Sequence, residues 1–119
     1  MTALVICLAG GIGAVTRFML DGLIRTRLGR RFPWGTVFIN VSGALLLGFI
    51  TALALHNGVS AKEKLVVGTG FCGGYTTFST ASFEAVRLLE EKRWLAAAAH
   101  ITANIGLTVT AATLALRFA

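Results

Sequence analysis

Four long apolar stretches, separated by short polar segments, dominate the pattern along this chain. Each is close to the roughly 20 apolar residues that a helix needs to cross the hydrocarbon core of a bilayer. The pattern therefore predicts an all-α membrane protein with four transmembrane helices. The spans fall at about 3–24, 35–56, 65–88 and 94–116, within a single membrane domain over residues 1–119.

The third stretch is interrupted by glycine and hydroxyl residues, Gly73-Gly74-Tyr75-Thr76-Thr77. Backbone that is not helical survives at membrane depth only where it is buried in protein or lines a water-filled path. We therefore predict that the third helix is broken over 73–77. The break marks the expected functional site, and its chemistry is that of an ion pathway.

Composition supports a membrane location. Of 119 residues, 55% are hydrophobic and 13% are charged, whereas a soluble domain has about 25% charged residues. The first apolar stretch lacks the preceding positive residues of a secretory signal, so we expect it to be retained. A multi-pass protein of a bacterial inner membrane is the simplest expectation.

The formal net charge of +6 is explained by topology rather than by a nucleic-acid partner, because no basic patch with interleaved aromatic residues is present. The positive residues collect at the first and third loops, where the positive-inside rule predicts the cytoplasm and places both termini outside. Seven lie there, against three on the other side: Arg25, Arg27, Arg30, Arg31, Arg87, Lys92 and Arg93, against Lys62, Lys64 and Arg117.

Polar side chains within apolar spans are costly, so they are the first candidates for function. Asn40 lies in the second span, and His100, Asn104 and Thr108 follow one another at intervals of four in the last. That spacing places them on one helical face. Amide and hydroxyl groups could replace water around an anion, or they could simply join neighbouring helices.

Three further residues have two interpretations each. Arg17 either gathers anions at the mouth of a pathway or pairs with Asp21 on its own helix. Phe78 either contacts lipid or offers the positive edge of its ring to an anion. Glu84 either accepts hydrogen bonds from hydroxyl groups or pairs with Arg87.

Enzyme chemistry is not indicated. The chain has no paired carboxylates, no cluster of cysteine and histidine ligands, and no nucleophile with a base at a recognisable spacing. Cys7 and Cys72 fall in apolar spans, where we expect small buried residues rather than a disulfide or metal ligands.

Three motifs together resemble the Fluc/CrcB family of fluoride channels. Gly70-Phe71-Cys72-Gly73-Gly74-Tyr75-Thr76-Thr77-Phe78-Ser79-Thr80 resembles its signature in the third span. Gly10-Gly11-Ile12-Gly13-Ala14-Val15-Thr16-Arg17-Phe18 resembles its first-span motif, and Gly35-Thr36-Val37-Phe38-Ile39-Asn40-Val41-Ser42-Gly43 its second-span motif. The similarity covers the first three spans in order.

The resemblance implies a dual-topology dimer, in which two antiparallel four-helix subunits enclose two pores at their interface. It implies passive, selective fluoride conduction that relieves fluoride toxicity. It also implies a structural Na⁺ on the dimer axis, held by the backbone carbonyls of Gly73 and Thr76.

The family's functional positions are carried over from the same resemblance. They comprise the pore asparagine, the vestibule arginine, the first pore phenylalanine and the adjoining hydroxyl track, together with polar positions of the last span assigned by approximate spacing. In this chain these are Asn40, Arg17, Phe78, Ser79, Thr80, His100, Asn104 and Thr108.

One position departs from the family pattern, because Ala81 stands where a second phenylalanine is usual. A partner subunit could supply the missing ring in a heterodimer, or a homodimer could tolerate one ring per pore. Two other functions compete with a channel: a small proton-coupled multidrug transporter, for which Asp21 is poorly placed, and a non-conducting membrane subunit.

Overall fold

The computed structural model describes residues 1–29, 31–56, 58 and 60–118, with the side chains of Ser79 and Phe118 excepted. All regular secondary structure in these ranges is helical. Helix α1 is Thr2–Leu28, α2 is Trp34–Leu55, α3 covers 61–75, α4 is Phe78–Glu90 and α5 is Trp94–Phe118.

Three helices are long and apolar enough, by length and composition, to cross a membrane: Thr2–Leu28, Trp34–Leu55 and Trp94–Arg117. The remaining crossing is divided between α3 and α4, which are separated by two non-helical residues. The predicted all-helical architecture is confirmed for the described residues, and the third crossing is broken as expected. The helices begin and end close to the predicted bounds, and α1 extends past residue 24.

Helix α3 is itself composite. It begins as the α-helix Ala61–Lys64, continues as the π-helix Leu65–Cys72 and returns to α-helix at Gly73–Tyr75. The Ser60 hydroxyl caps its start by accepting a hydrogen bond from the Glu63 amide at 3.1 Å. π-Helical turns are uncommon and often occur at functional sites.

The break is shorter than the predicted range, because Gly73–Tyr75 is helical and only Thr76 and Thr77 are extended. Thr76 has φ −81° and ψ 159°, and Thr77 has φ −149° and ψ 120°. The Thr77 hydroxyl then accepts a hydrogen bond from the Thr80 amide at 3.0 Å. Threonine is a favourable residue at the position before a helix for this reason, so α4 restarts immediately.

Glycines bring α1 and α3 into close contact. A methyl group on Gly74 would clash with the Gly10 carbonyl, and one on Gly13 would clash with the Phe71 carbonyl. The close contact is therefore made at Gly10 and Gly13. Gly11 takes no part in it, because a methyl group there would meet no atom within 4 Å.

Helices α2 and α5 form the second close pair. A methyl group on Gly48 would approach the Ala112 carbonyl and the Ala115 methyl group at 2.8 Å. Many large apolar side chains on the outer faces of the helices remain exposed, as expected for surfaces that face lipid. Cys72 is buried as predicted, whereas Cys7 is exposed, and both are free thiols.

Candidate functional site

An open groove of about 860 Å³ runs beside the break, between α2, the two halves of the third crossing and α5. Most of its lining is apolar, and its polar groups concentrate near Thr77. Seven of the residues proposed from the sequence line it: Asn40, Gly73, Thr76, Phe78, His100, Asn104 and Thr108.

Asn40 holds the break through the backbone of Thr77. Its Oδ1 accepts a hydrogen bond from the Thr77 amide at 3.0 Å, and its Nδ2 donates to the Thr77 carbonyl at 3.2 Å. The side-chain amide therefore satisfies both backbone groups of one extended residue. In an apolar environment, an unpaired backbone group costs several kcal/mol, so this contact allows the helix to break at this depth.

Two backbone carbonyls at the break lose their usual helical partners. In an α-helix the Gly73 carbonyl would accept from the Thr77 amide and the Thr76 carbonyl from the Thr80 amide. Those two amides bind Asn40 Oδ1 and Thr77 Oγ1 instead. A methyl group on Gly73 would meet no atom within 4 Å, so this turn faces open space.

A chain of side-chain hydrogen bonds links α2 to α5 across the groove. Asn40 Nδ2 also donates to Asn104 Oδ1 at 2.9 Å. Asn104 Nδ2 contacts the His100 carbonyl at 2.8 Å and His100 Nδ1 at 3.0 Å. His100 Nε2 lies 3.0 Å from the Ala81 carbonyl on α4. The predicted polar stripe of the last helix therefore does face Asn40.

The His100 ring is 1% exposed, and the ring of Phe32 lies edge-on to it at 6.0 Å. Ala81 lines the groove beside it. Because alanine has only a methyl group, the groove remains open where the family pattern would place a phenylalanine ring.

The remaining groove residues differ in their environments. The Phe78 side chain is 87% exposed in the isolated subunit. Thr108 Oγ1 is buried and has no hydrogen-bond partner among the described atoms. Thr80 is half-buried, and its amide binds Thr77 Oγ1. The side chain of Ser79 lies outside the described residues, so its predicted place in the hydroxyl track is not described.

Arg17 contacts the break from α1, away from the groove lining. Its Nε donates to the Gly74 carbonyl at 3.3 Å. The predicted pair with Asp21 is wrong, since Asp21 pairs with Arg25 at 2.6 Å. The vestibule role proposed for Arg17 stays a prediction, and the structure adds a contact with the end of α3.

Two polar contacts were not predicted as pairs. Thr36 Oγ1 on α2 donates to Glu84 Oε1 on α4, and Glu84 is only 7% exposed. Of the two interpretations of Glu84, hydroxyl binding is therefore correct. Ser42 Oγ and Tyr75 Oη form a second contact at 2.9 Å. Sequence spacing gives no signal for either, because the partners lie on different helices.

A second, smaller polar cavity of about 90 Å³ is lined by residues that include Glu84, Asp21, Arg25 and Arg87. In the part of the chain that the structure describes, no three Cys, His, Asp or Glu side chains are grouped to hold a metal ion. The lining of the main groove is mostly apolar, and its polar groups include the amide of Asn40, the hydroxyl of Thr77 and the imidazole of His100.

The family model described as "CrcB-like protein, Camphor Resistance (CrcB)" matches residues 4–116. A protein named fluoride-specific ion channel FluC 1 from Leifsonia xyli is 52% identical over 97 residues, covering 82% of this chain and 71% of the relative. FluC 2 of Cutibacterium acnes is 60% identical over 88 residues, covering 73% of this chain and 72% of the relative. FluC 2 of Mycobacterium bovis is 45% identical over 109 residues, covering 92% and 83%.

These relatives are named as ion channels, which agrees with the prediction that this chain is not an enzyme. The family match covers nearly all of the sequence, including α5, where the motif resemblance was only approximate. Three of the described helices are long and apolar enough to cross a membrane, which indicates a multi-pass membrane protein. This chain belongs to the CrcB family.

Proposed function

We propose that this protein is a fluoride-selective channel that lets fluoride leave the cell passively across the inner membrane and so reduces fluoride toxicity. The observation that carries the proposal is the groove at the Thr76–Thr77 break, with Asn40, Asn104 and Phe78 along it. The names of the relatives, all fluoride-specific ion channels, supply the identity of the ion.

Passive export requires only a path and a driving force. In acidic surroundings fluoride is protonated and enters the cell as neutral HF, which ionises in the cytoplasm and is trapped there as the anion. A membrane potential of about 100 mV drives one elementary charge with about 2.3 kcal/mol. No coupling reaction is then needed.

Along the path, amide and hydroxyl groups replace the water that surrounds the ion, and the edge of the Phe78 ring contributes a positive partial charge. Such contacts are weak enough to release the ion again, which conduction requires. In this mechanism Ser79, Thr80 and Thr108 extend the polar track, and Arg17 raises the local concentration of anions near its mouth.

A second copy of the chain covers the groove in this proposal. The break and the polar groups of Asn40 and His100 open onto one face of the isolated subunit, and such groups do not face lipid. Two antiparallel subunits that meet on this face would bury both breaks and enclose two pores. The loop charges, seven against three, favour one orientation, which suits a heterodimer of fixed orientation better than a dual-topology homodimer.

The dimer would also complete a Na⁺ site on its axis. Each subunit offers the Gly73 and Thr76 carbonyls, whose helical donors are bound elsewhere. Carbonyl oxygens at the end of a helix carry partial negative charge, so the donor set fits a hard cation. When bound, Na⁺ would supply positive charge that stabilises the two facing breaks. It would take no part in moving the anion.

The alternative of a multidrug transporter is not supported by the position of the only acid in α1. A proton-coupled exchanger needs a free carboxylate deep in the membrane, whereas Asp21 pairs with Arg25 near the end of the helix. The alternative of a non-conducting subunit of a heterodimer has one observation in its favour. The groove lacks an aromatic ring at Ala81, which a paralogous partner could supply.

Fluoride efflux from liposomes tests the proposal. The purified chain is reconstituted alone into vesicles loaded with KF, efflux is started with valinomycin, and external fluoride is followed with an electrode. We expect rapid fluoride release, far faster than chloride release from matched KCl vesicles. Equal rates for the two ions would contradict selectivity.

The mass of the protein in detergent, measured by light scattering, gives the assembly. A conducting homodimer excludes the non-conducting alternative. A chain that releases no fluoride alone but does so when combined with a second family member supports the heterodimer.

A further inference from the structure

The two asparagines in the groove use every amide hydrogen within the protein. Asn40 donates to the Thr77 and Asn104 carbonyl oxygens. Asn104 donates to the His100 carbonyl and to His100 Nδ1. With all four hydrogens bound, neither side chain has a donor left for an anion.

The direction of these hydrogen bonds determines which nitrogen of the His100 ring carries the proton. Asn40 is fixed because it binds both the amide and the carbonyl of Thr77. Its Nδ2 therefore faces Asn104 Oδ1, and Asn104 Nδ2 must face the histidine ring. Nδ1 is then the acceptor, and Nε2 carries the proton and donates to the Ala81 carbonyl. This is the neutral form of the ring.

We propose that His100 is a positioning residue for fluoride binding, and that its protonation releases amide donors of Asn104 and Asn40 to form an anion site between them. The proposal rests on the proposed function and specifies how its groove binds the ion.

Protonation of the ring places a hydrogen on His100 Nδ1, so that Nδ1 and Asn104 Nδ2 are both donors and can no longer form a hydrogen bond with each other. If the Asn104 amide rotates to offer Oδ1 to the ring, its Nδ2 faces Asn40 Nδ2. The two asparagines then present hydrogen donors to each other beside a positive ring. An anion between them can accept hydrogen bonds from both donors, and the positive ring beside it favours a negative ion there.

The charged groups around His100 come from one neighbouring helix and one loop. Helix α2 has no titratable side chain, and α4 carries Glu84, Arg87 and Glu90. Of these only Glu84 is buried. Arg93 precedes α5, and Phe32 presents an uncharged ring. Glu84 accepts a hydrogen bond from Thr36, so the acid on the adjacent turn of α4 is already bound.

The consequence is a pH dependence of known sign. As pH falls, the fraction of His100 in the imidazolium form rises, and fluoride binds more tightly. Because coupling between two ligands is reciprocal, fluoride must in turn increase the imidazolium fraction at constant pH. Chloride, which is larger than fluoride, should have a smaller effect.

Two substitutions separate the charge of the ring from its hydrogen bonds. His100→Asn keeps an acceptor near the Nδ1 position, and His100→Gln keeps a donor near the Nε2 position. Neither titrates. His56→Gln is the matched control, because His56 is the only other histidine and is exposed at the end of α2.

Efflux is measured from liposomes with equal pH on both sides, with protein-free vesicles subtracted to remove HF leakage. Between about pH 8 and about pH 6, the fluoride concentration for half-maximal efflux should fall about threefold or more in the wild type and in His56→Gln. It should not change in His100→Asn or His100→Gln. The same pH dependence in all four proteins would overturn the proposal.

Nitrogen-15 NMR of the histidine rings in nanodiscs gives a readout that does not need conduction. At about pH 7, added NaF should increase the imidazolium signal of His100 but not that of His56. If the vesicles release no fluoride at any pH, the proposed function fails, and this measurement still decides whether His100 and fluoride are coupled. An unchanged His100 signal would overturn the proposal even in a conducting protein.

Discussion

The two sides of the Thr76–Thr77 break are built in opposite ways. On the α1 side the backbones touch, since Gly74 has no room for a methyl group beside Gly10. On the other side the helices stand apart, leaving a groove of about 860 Å³. The hydrogen-bonded network of Asn40 lies on that open side.

The difference shows where an ion pathway can form. Close contact through glycine leaves no space for an ion or for long polar side chains, so the α1 side can only fix the position of α3. The open side has the space, and there each exposed backbone group at the break requires a side-chain partner. Asn40 and Thr77 provide these partners, and the same groups become candidates for contact with an anion.

The largest effect on folding should come from adding a side chain on the close-packed α1 side of the break. Gly74→Val should abolish folded protein, because overpacking costs about 1–3 kcal/mol even where side chains can move, and here the clash is with the Gly10 carbonyl. Yield of monodisperse protein in size-exclusion chromatography measures this. Gly11→Val is the matched control, since its new side chain meets open space. Equal yields of the two variants would show that the α1 side is not tightly packed.

The next effect should come from removing the partner of the break. Asn40→Leu keeps the approximate volume but leaves the Thr77 amide and carbonyl unpaired, at about 1–3 kcal/mol for each buried group. We expect a lower unfolding temperature and a loss of fluoride efflux of about tenfold or more. Thr51→Val is the control, because Thr51 Oγ1 bonds only within α2, to Leu47 at 2.8 Å. Normal efflux in Asn40→Leu would show that the groove chemistry does not depend on Asn40.

A smaller effect is expected at Arg17, where two substitutions distinguish its hydrogen bond to Gly74 from its positive charge. Arg17→Lys keeps the positive charge but loses the planar Nε donor that binds Gly74. We expect both Arg17→Lys and Arg17→Met to lower the free energy of unfolding by about 1 kcal/mol. Efflux from the folded protein should be normal in the lysine variant and reduced in the methionine variant. Equal efflux in the two would mean that the charge does not gather anions.

The sequence predicted those features that depend on local pattern. Apolar length identified the helices, and the run of glycine and threonine located the broken helix to within a few residues. The exact break could not be predicted, because Gly73–Tyr75 remains helical and the extended backbone of Thr77 depends on its contact with Asn40 on another helix. The π-helix Leu65–Cys72 has only 8 residues. That is too few for the spacing of apolar residues to distinguish a π-helix from an α-helix.

Hydrogen bonds between side chains on different helices could not be predicted from spacing along the sequence. The stripe of His100, Asn104 and Thr108 followed from the spacing of four, but its contact with Asn40 depends on how α2 and α5 pack. Pairing with Asp21 was one of the two interpretations of Arg17, because spacing considers one helix at a time. Its contact with the Gly74 carbonyl arises from the glycine packing between α1 and α3.

The smallest effect should come from Thr108, on the open side of the break. Its buried hydroxyl has no hydrogen-bond partner among the described atoms, so Thr108→Val removes an unpaired polar group and keeps the shape. We expect the unfolding free energy to rise by up to about 1 kcal/mol, and fluoride efflux to fall by about two- to fivefold if an ion uses this hydroxyl. Thr113→Val is the matched control, since Thr113 Oγ1 is exposed and donates to Val109 within α5. A destabilised Thr108→Val protein would instead mean that the hydroxyl has a partner, as the proposed dimer could provide.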